Sequence, residues 1–382
     1  MNGRRLWFVG IGGAGLSAYA QLARAWGAEV GGWDRVRTPY LEPLDDVPVE
    51  IAPEPVVPAG WEAVVSSAYP EVPGMRRAEL LRELVAERQS IAVAGSHGKG
   101  TTAAMIAYVL RETGRDPAWL IGAPVPQLGS NAGFGSGYLV AEADESDRTA
   151  FGLPAEIAIV TNVDLDHHSE FSSRRELEQE FERWLATVPR VVRDAPAYGG
   201  ELSLPGEYNR QNAGAALAAL ELVGVSRSEA APVLARFTGT GRRFDVHELD
   251  GRTIVDDYAH HPSEVAAVVA AARERFPGRR VRVLFQPHLY SRTRHLASEF
   301  ADALAGADDV TVTDVYPARE QPVPGVSGRL IVDALSDAGV LAGWTPTVEQ
   351  GAARLARRSR PGDVVLVLGA GDVDRAVELM SR

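Results

Sequence analysis

The chain has 382 residues, 45% of them hydrophobic, enough for two or three globular domains with sizeable cores. Its 51 acidic and 39 basic residues give a net charge of −12, so the basic surface that drives nucleic-acid binding by counterion release is missing. The absence of cysteine excludes disulfide scaffolds, thiol nucleophiles and Cys-ligated zinc.

Short apolar runs that end in Gly, Asp or Ser turns alternate with Ala/Leu/Arg/Glu segments of helical period, the pattern of an α/β protein. The first block predicts a strand over Leu6–Val9, a glycine loop, a helix around Ser17–Trp26, a strand over Glu29–Trp33 and another over 63–67. Arg4 and Arg5 before an apolar run superficially resemble a secretory leader, but Gly10, Gly12, Gly13 and Gly15 make strand, loop and helix the better reading. The second block predicts a strand over Ile91–Ala94, a helix from Thr101 to about Arg111, and strands over Gly137–Ala141 and Ile157–Val163. After Phe237-Thr238-Gly239 a third block places strands at Thr253–Val255, Val281–Phe285, Val310–Thr313 and Val364–Leu368. Pro/Gly stretches at 52–60, 194–206 and 317–328 predict loops. No run reaches the roughly eighteen apolar residues of a membrane span. The expectation is a cytoplasmic protein with no membrane partner, a monomer or weak homodimer.

Gly10 to Gly15 has the G-x-G-x-x-G spacing between strand and helix, with Asp34 at the end of the next strand. Alone it is compatible with a dinucleotide, another nucleotide or a purely structural turn. The second loop, Gly95-Ser96-His97-Gly98-Lys99-Gly100, leads into Thr101 and Thr102 and has the layout that surrounds a triphosphate with amides and one ammonium. Lys99 is the only lysine beside 38 arginines. A compact point charge suits this position better than the planar fork of arginine.

Glu142-Ala143-Asp144-Glu145-Ser146-Asp147 and Asp164-Leu165-Asp166-His167-His168 both follow strands of the second block. Their carboxylates suit Mg2+, which takes one or two of them together with phosphate oxygens. In the third block Asp256-Asp257-Tyr258-Ala259-His260-His261-Pro262 and Gln286-Pro287-His288-Leu289-Tyr290-Ser291-Arg292-Thr293 end strands. No G-x-S-x-G elbow accompanies them, which disfavours a hydrolytic triad. Adjacent histidines point in different directions, which disfavours zinc.

With these segments in place, the chain resembles the Mur ligase family, and its alanine-adding branch in particular, over nearly the whole length and in order. The strings that carry the resemblance include FVGIGGAGLS, GSHGKGTTAAM, EADESD, TNVDLDHH, LPGEYNRQNA, GTGRRFDV, DDYAHHPSE, FQPHLYSRT and DVYPARE. It implies three domains: an N-terminal Rossmann-like domain for a UDP-sugar (1–88), a shortened central P-loop ATPase-like domain (89–237) and a C-terminal Rossmann-like ligase domain (238–382). It implies ATP and Mg2+ as cofactors, UDP-N-acetylmuramate and L-alanine as substrates, and amide formation through an acyl phosphate.

Carried over by position, the ATP site comprises Gly95, Ser96, His97, Gly98, Lys99, Gly100, Thr101, Asn209, Asn212, Arg243, Asp256 and Asp257. Lys99 would bridge the β- and γ-phosphates, and the metal would meet Glu142, His167 and Thr101. Gly12, Gly13, Gly15 and Ser67 would contact the UDP moiety, which makes the first loop a UDP reader. Tyr258, His260, His288 and Arg292 would surround the incoming alanine and the phosphates.

Four departures stand out. Family members carry Thr after the loop lysine, where this chain has Gly100, so Thr101 replaces that metal ligand only if the loop shifts. Tyr208 replaces a histidine, Leu289 replaces an arginine, and only 37 residues separate His167 from Pro205. Gly100 and the short central region also motivate an alternative, a divergent homologue that binds a UDP-sugar with altered amino-acid specificity or little catalysis.

Overall fold

A computed structural model describes residues 1–145, 148–164, 171–318 and 320–380. It divides into two compact units: Met1–Ser203 with Arg210–Thr240, and Leu204–Asn209 with Gly241–Arg382.

The first unit opens with β1 (Arg5–Val9), α1 (Ala14–Ala25), β2 (Glu29–Asp34), β3 (Val49–Ile51), β4 (Glu62–Val65), β5 (Met75–Arg76) and α2 (Arg77–Ala86). The strands form a parallel sheet in the order β3-β2-β1-β4-β5, with Leu6 paired to Val30 on one side and Glu62 on the other. Leu6, Phe8 and Val9 are fully buried, as a central parallel strand covered on both faces requires.

Next come β6 (Ser90–Ala94), α3 (Lys99–Glu112), β7 (Ala118–Leu120), β8 (Ala132–Phe134), β9 (Leu139–Glu142), β10 (Ile157–Val160), α4 (Arg174–Leu185), β11 (Arg190–Val192), α5 (Glu207–Leu222) and α6 (Arg227–Leu234). Their sheet runs β11-β10-β6-β9-β7-β8, parallel except for β8 against β7. One apolar core joins the two sheets, with Leu22 and Ala23 of α1 in the same cluster as Ala118, Leu120 and Ala132. β6 sits mid-sheet and α3 is buried from Thr101 to Leu110, so the loop between them is held from both ends.

The second unit contains β12 (Asp245–Leu249), β13 (Arg252–Asp257), α7 (Pro262–Arg275), β14 (Val281–Phe285), α8 (Tyr290–His295), α9 (Ala297–Leu304), β15 (Asp309–Val312), α10 (Arg329–Asp337), β16 (Ala342–Trp344), α11 (Val348–Arg358), β17 (Val364–Leu368) and α12 (Arg375–Leu379). Its sheet runs β12-β13-β17-β14-β15-β16, parallel except for β12. Separate apolar clusters cover its two faces. Within it the buried Arg282 donates to Asp363 Oδ2 at 2.7 Å and to Asp309 Oδ2 at 2.8 Å, and Arg358 donates to the same Asp309 oxygen.

The strands predicted over Gly137–Ala141 and Ile157–Val163 are observed at Leu139–Glu142 and Ile157–Val160. The second ends early because Thr161, Asn162 and Asp164 turn to bond the neighbouring loop.

Candidate active site

The glycine loop after β1 is closed by its own acid. Gly12 N–H donates to Asp34 Oδ2 at 2.7 Å, Arg35 N–H donates to Oδ1, and the Thr38 hydroxyl donates to Gly12 O. A Cβ on Gly12 would lie 2.8 Å from Asp34 Oδ2, so only glycine allows this approach. Gly13 N–H donates to Gly10 O. The acid that would read a ribose hydroxyl in a dinucleotide fold is therefore a staple of the loop. Gly15 lies in the first turn of α1, within reach of Arg77, and Ser67 is exposed after β4.

The second loop is laced to the strand beside it. Ser96 N–H donates to Asn162 O, and His97 N–H donates to Asn162 Oδ1 at 2.8 Å. Asn162 Nδ2 donates back to His97 O, and the Ser96 hydroxyl donates to Asp164 O while accepting from Asp164 N–H. Gly98 has φ +79°, and a Cβ on it would collide with the Asn212 side chain. The amide of Asn212 is thus packed against the phosphate loop. Asn209 is buried in the other unit, where its Nδ2 donates to Pro205 O.

Lys99 begins α3, and its ammonium donates to Gly95 O at 2.7 Å, Ser96 O at 3.2 Å and Glu145 Oε2 at 2.9 Å. Burial works against its charge, but the carboxylates of Glu145, Asp144 and Glu142 outweigh it and hold the pKa above the usual lysine value. The acidic run thus divides its labour. Glu145 meets Lys99, and Asp144 lies 3.7 Å from the Arg77 guanidinium beside Gly15. Glu142 accepts from Gly122 N–H at 2.6 Å and lies against Gly100.

α3 starts at Lys99 without a shift, with Thr102 N–H bonded to Gly98 O. Gly100 therefore owns the face toward Glu142, and Thr101 is buried about 100° further round the helix. His167 lies outside the described residues. Among the described residues no group of three or more metal-capable side chains gathers. One strand-end carboxylate beside a phosphate loop is a donor set that suits Mg2+ sharing its shell with phosphate oxygens and water.

In the second unit the predicted residues converge at the C-terminal ends of β13 and β14, where open α/β sheets bind ligands. Asp257 Oδ2 accepts from Phe244 N–H and Oδ1 from Ala259 N–H. Burial pushes this carboxyl up to about 6, against the opposing Arg243 charge. Asp256 pairs with Arg242 at 3.1 Å, and its pKa is raised by burial. The guanidinium groups of Arg242 and Arg243 lie over the Tyr258 ring, and Arg243 approaches Glu264 at 3.5 Å. His260 packs edge-on against His288, whose ring lies nearly parallel to Tyr316. The buried Arg292 reaches His288 Nδ1 at 3.3 Å. Tyr208 is partly buried beside Asp257, and desolvation raises its phenol pKa.

Three participants escaped the sequence reading. Gly369-Ala370-Gly371-Asp372 follows β17, the strand between β13 and β14. Arg242 donates to Gly369 O and Gly371 O, and Gln286 Nε2 donates to Asp372 Oδ1 at 2.8 Å. The signal was present as a G-x-G-D turn after an apolar run. Tyr316 and Glu145 lay inside quoted strings without a role.

Residues 93–192 match the Mur ligase middle domain, and residues 242–371 match the Mur ligase glutamate ligase domain. The UDP-N-acetylmuramate–L-alanine ligase of Renibacterium salmoninarum is 37% identical, covering 97% of this chain and 94% of the relative. The chain belongs to the Mur ligase family. The corresponding ligase of Streptomyces coelicolor is 38% identical, over 96% of this chain and 94% of its own. The crystal structure of UDP-N-acetylmuramate–alanine ligase from Thermotoga maritima superposes with a TM-score of 0.80 at 25% identity, covering 98% of each chain. The Renibacterium alignment runs over 443 positions against the 382 residues of this Mur ligase, so the relative carries segments that this one lacks.

Proposed function

We propose that this Mur ligase joins L-alanine to the carboxylate of UDP-N-acetylmuramate at the expense of ATP, as a step of peptidoglycan precursor synthesis. The observation that carries the reading is the Lys99 loop: a strand-to-helix turn laced to β10, with the chain's one lysine at the helix start and Glu142 alongside. Near-full-length relatives bearing that activity support it.

The muramoyl carboxylate oxygen attacks the γ-phosphorus and ADP leaves with the bridging oxygen. The alanine nitrogen then attacks the acyl carbon, and inorganic phosphate departs as the amine gives up its proton. Lys99 carries charge on the β- and γ-phosphate oxygens, where stabilisation of developing charge is worth most. Glu142, with His167, would hold Mg2+, which supplies charge neutralisation on the phosphates when bound. Asn212 supports the loop, and Gly13, Gly15 and Ser67 receive the UDP moiety, Gly12 shaping their loop. Tyr258, His260, His288 and Arg292 receive the alanine and the tetrahedral intermediate, and Asn209, Arg243 and Asp256 serve the nucleotide. These roles fit a division at 1–88, 89–237 and 238–382 and a cytoplasmic enzyme; among the described residues no helix is long and apolar enough to cross a membrane.

The test is release of ADP by purified protein, expected only when UDP-N-acetylmuramate and L-alanine are both present. ADP release with another amino acid in place of alanine would move the specificity to the altered Leu289 position. Gly100 favours a second reading, a divergent homologue with little catalysis; ATP and UDP-sugar binding without ADP release would select it.

A further inference from the structure

An ammonium has three hydrogens to donate, and those of Lys99 go to Gly95 O, Ser96 O and Glu145 Oε2. None is left for a phosphate. Two of the acceptors are neutral carbonyls of the loop itself, and the third is an anionic oxygen, the chemical equivalent of a phosphate oxygen. The pair is also sequestered: the Lys99 side chain is 13% exposed and that of Glu145 2%. Glu145 is too buried for water to take over its solvation, so a phosphate that claims the same ammonium would meet its charge in a medium that screens poorly.

We propose that Glu145 is an internal competitor for the nucleotide's phosphates, holding the Lys99 ammonium in the empty loop and yielding it when ATP or ADP binds. Glu145 keeps the loop in its binding shape by compensating a buried cation, and nucleotide affinity is lower for it. A carboxylate that merely neutralised a buried lysine would lose stability on removal without a gain in binding. A competitor loses stability and gains binding at once.

The inference rests on nucleotide binding at Lys99, so the full-length wild type and Glu145→Gln are titrated together with ADP and ATP by calorimetry, with Mg2+ and again in EDTA. Thermal unfolding of both is followed without nucleotide. Glu145→Gln is expected to unfold at a lower temperature and to bind both nucleotides about tenfold or more tightly, in EDTA as well. Affinity that is unchanged or weaker in EDTA overturns the inference alone, whereas a wild type that binds no nucleotide overturns the function on which it rests. If Glu145→Gln does not fold, wild-type protein labelled with 15N-lysine decides the matter. Its single side-chain ammonium resonance must move on saturation with ADP, and a resonance that stays in place overturns the proposal.

Discussion

Glu142 Oε2 lies 3.2 Å from the point where a Cβ on Gly100 would stand. The carboxylate is fixed there by the Gly122 N–H, so the second residue of α3 and the end of β9 share one small space. A threonine at position 100 would push the carboxylate by a few tenths of an ångström and set a hydroxyl beside it. Gly100→Thr is expected to tighten Mg2+ binding to the protein–ADP complex about tenfold while leaving ADP affinity in EDTA unchanged. Titration with Mg2+ checks this; weaker Mg2+ binding would mean that Glu142 needs the space glycine leaves.

Asn212 makes contact with the Lys99 loop through the gap at Gly98, so a charge introduced there would bear directly on anion binding. Asn212→Asp puts a buried carboxylate there at nearly constant volume. ATP affinity should fall by about tenfold or more with the melting temperature changed much less, as paired calorimetry and thermal unfolding would reveal.

The Arg282–Asp309–Asp363 network is buried in the second unit, and Arg282 is the cation between the two acids. Arg282→Met keeps most of the volume and leaves Asp363 without its side-chain partner. Chemical denaturation should register a loss of about 3 kcal/mol. A loss below 1 kcal/mol would show that Arg354 and Arg358, which also pair with Asp309, and the Arg360 N–H, which donates to Asp363, suffice.

Asp257 gives a pH signature. Its carboxyl titrates near 3.8 when unfolded and near 6 in the fold, because burial favours the neutral form. The folded chain holds a proton there that the unfolded chain has lost, so the contribution to stability is complete below 3.8 and disappears as pH rises through 6. Relative to Asp257→Asn, the wild type should lose up to about 3 kcal/mol between pH 4 and pH 8. A difference between the two proteins that does not vary with pH would contradict this.

The long central strands were legible because burial on both faces writes them as unbroken apolar runs: Ile91–Ala94, Val281–Phe285 and Val364–Leu368 stand as read. The three-residue strands were not, β3, β8, β11 and β16 on sheet edges and β7 between β9 and β8, since three residues are too few for a period to show. At the site, Lys99 was legible from composition, and Glu142 from its place after a strand. Glu145 was not, because a run of acids does not say which carboxylate faces inward. One of Asp256 and Asp257 was read as a nucleotide contact; that Asp257 also accepts from two backbone N–H groups of its own unit was not legible. Nothing local in the sequence shows that Asn212 underlies Gly98, a contact made only when α5 folds against the loop.

Asp34 and Gly12 carry a lesson for engineering. Replacing the residues around β2 to recruit a nicotinamide cofactor would first have to unfasten the bond from the Gly12 amide, and the loop geometry would go with it. The same glycine spelling is therefore locked out of one trade by the very acid that would qualify it. Whether that acid is open to a ligand depends on where its carboxylate points, a property that neither the number nor the spacing of glycines encodes.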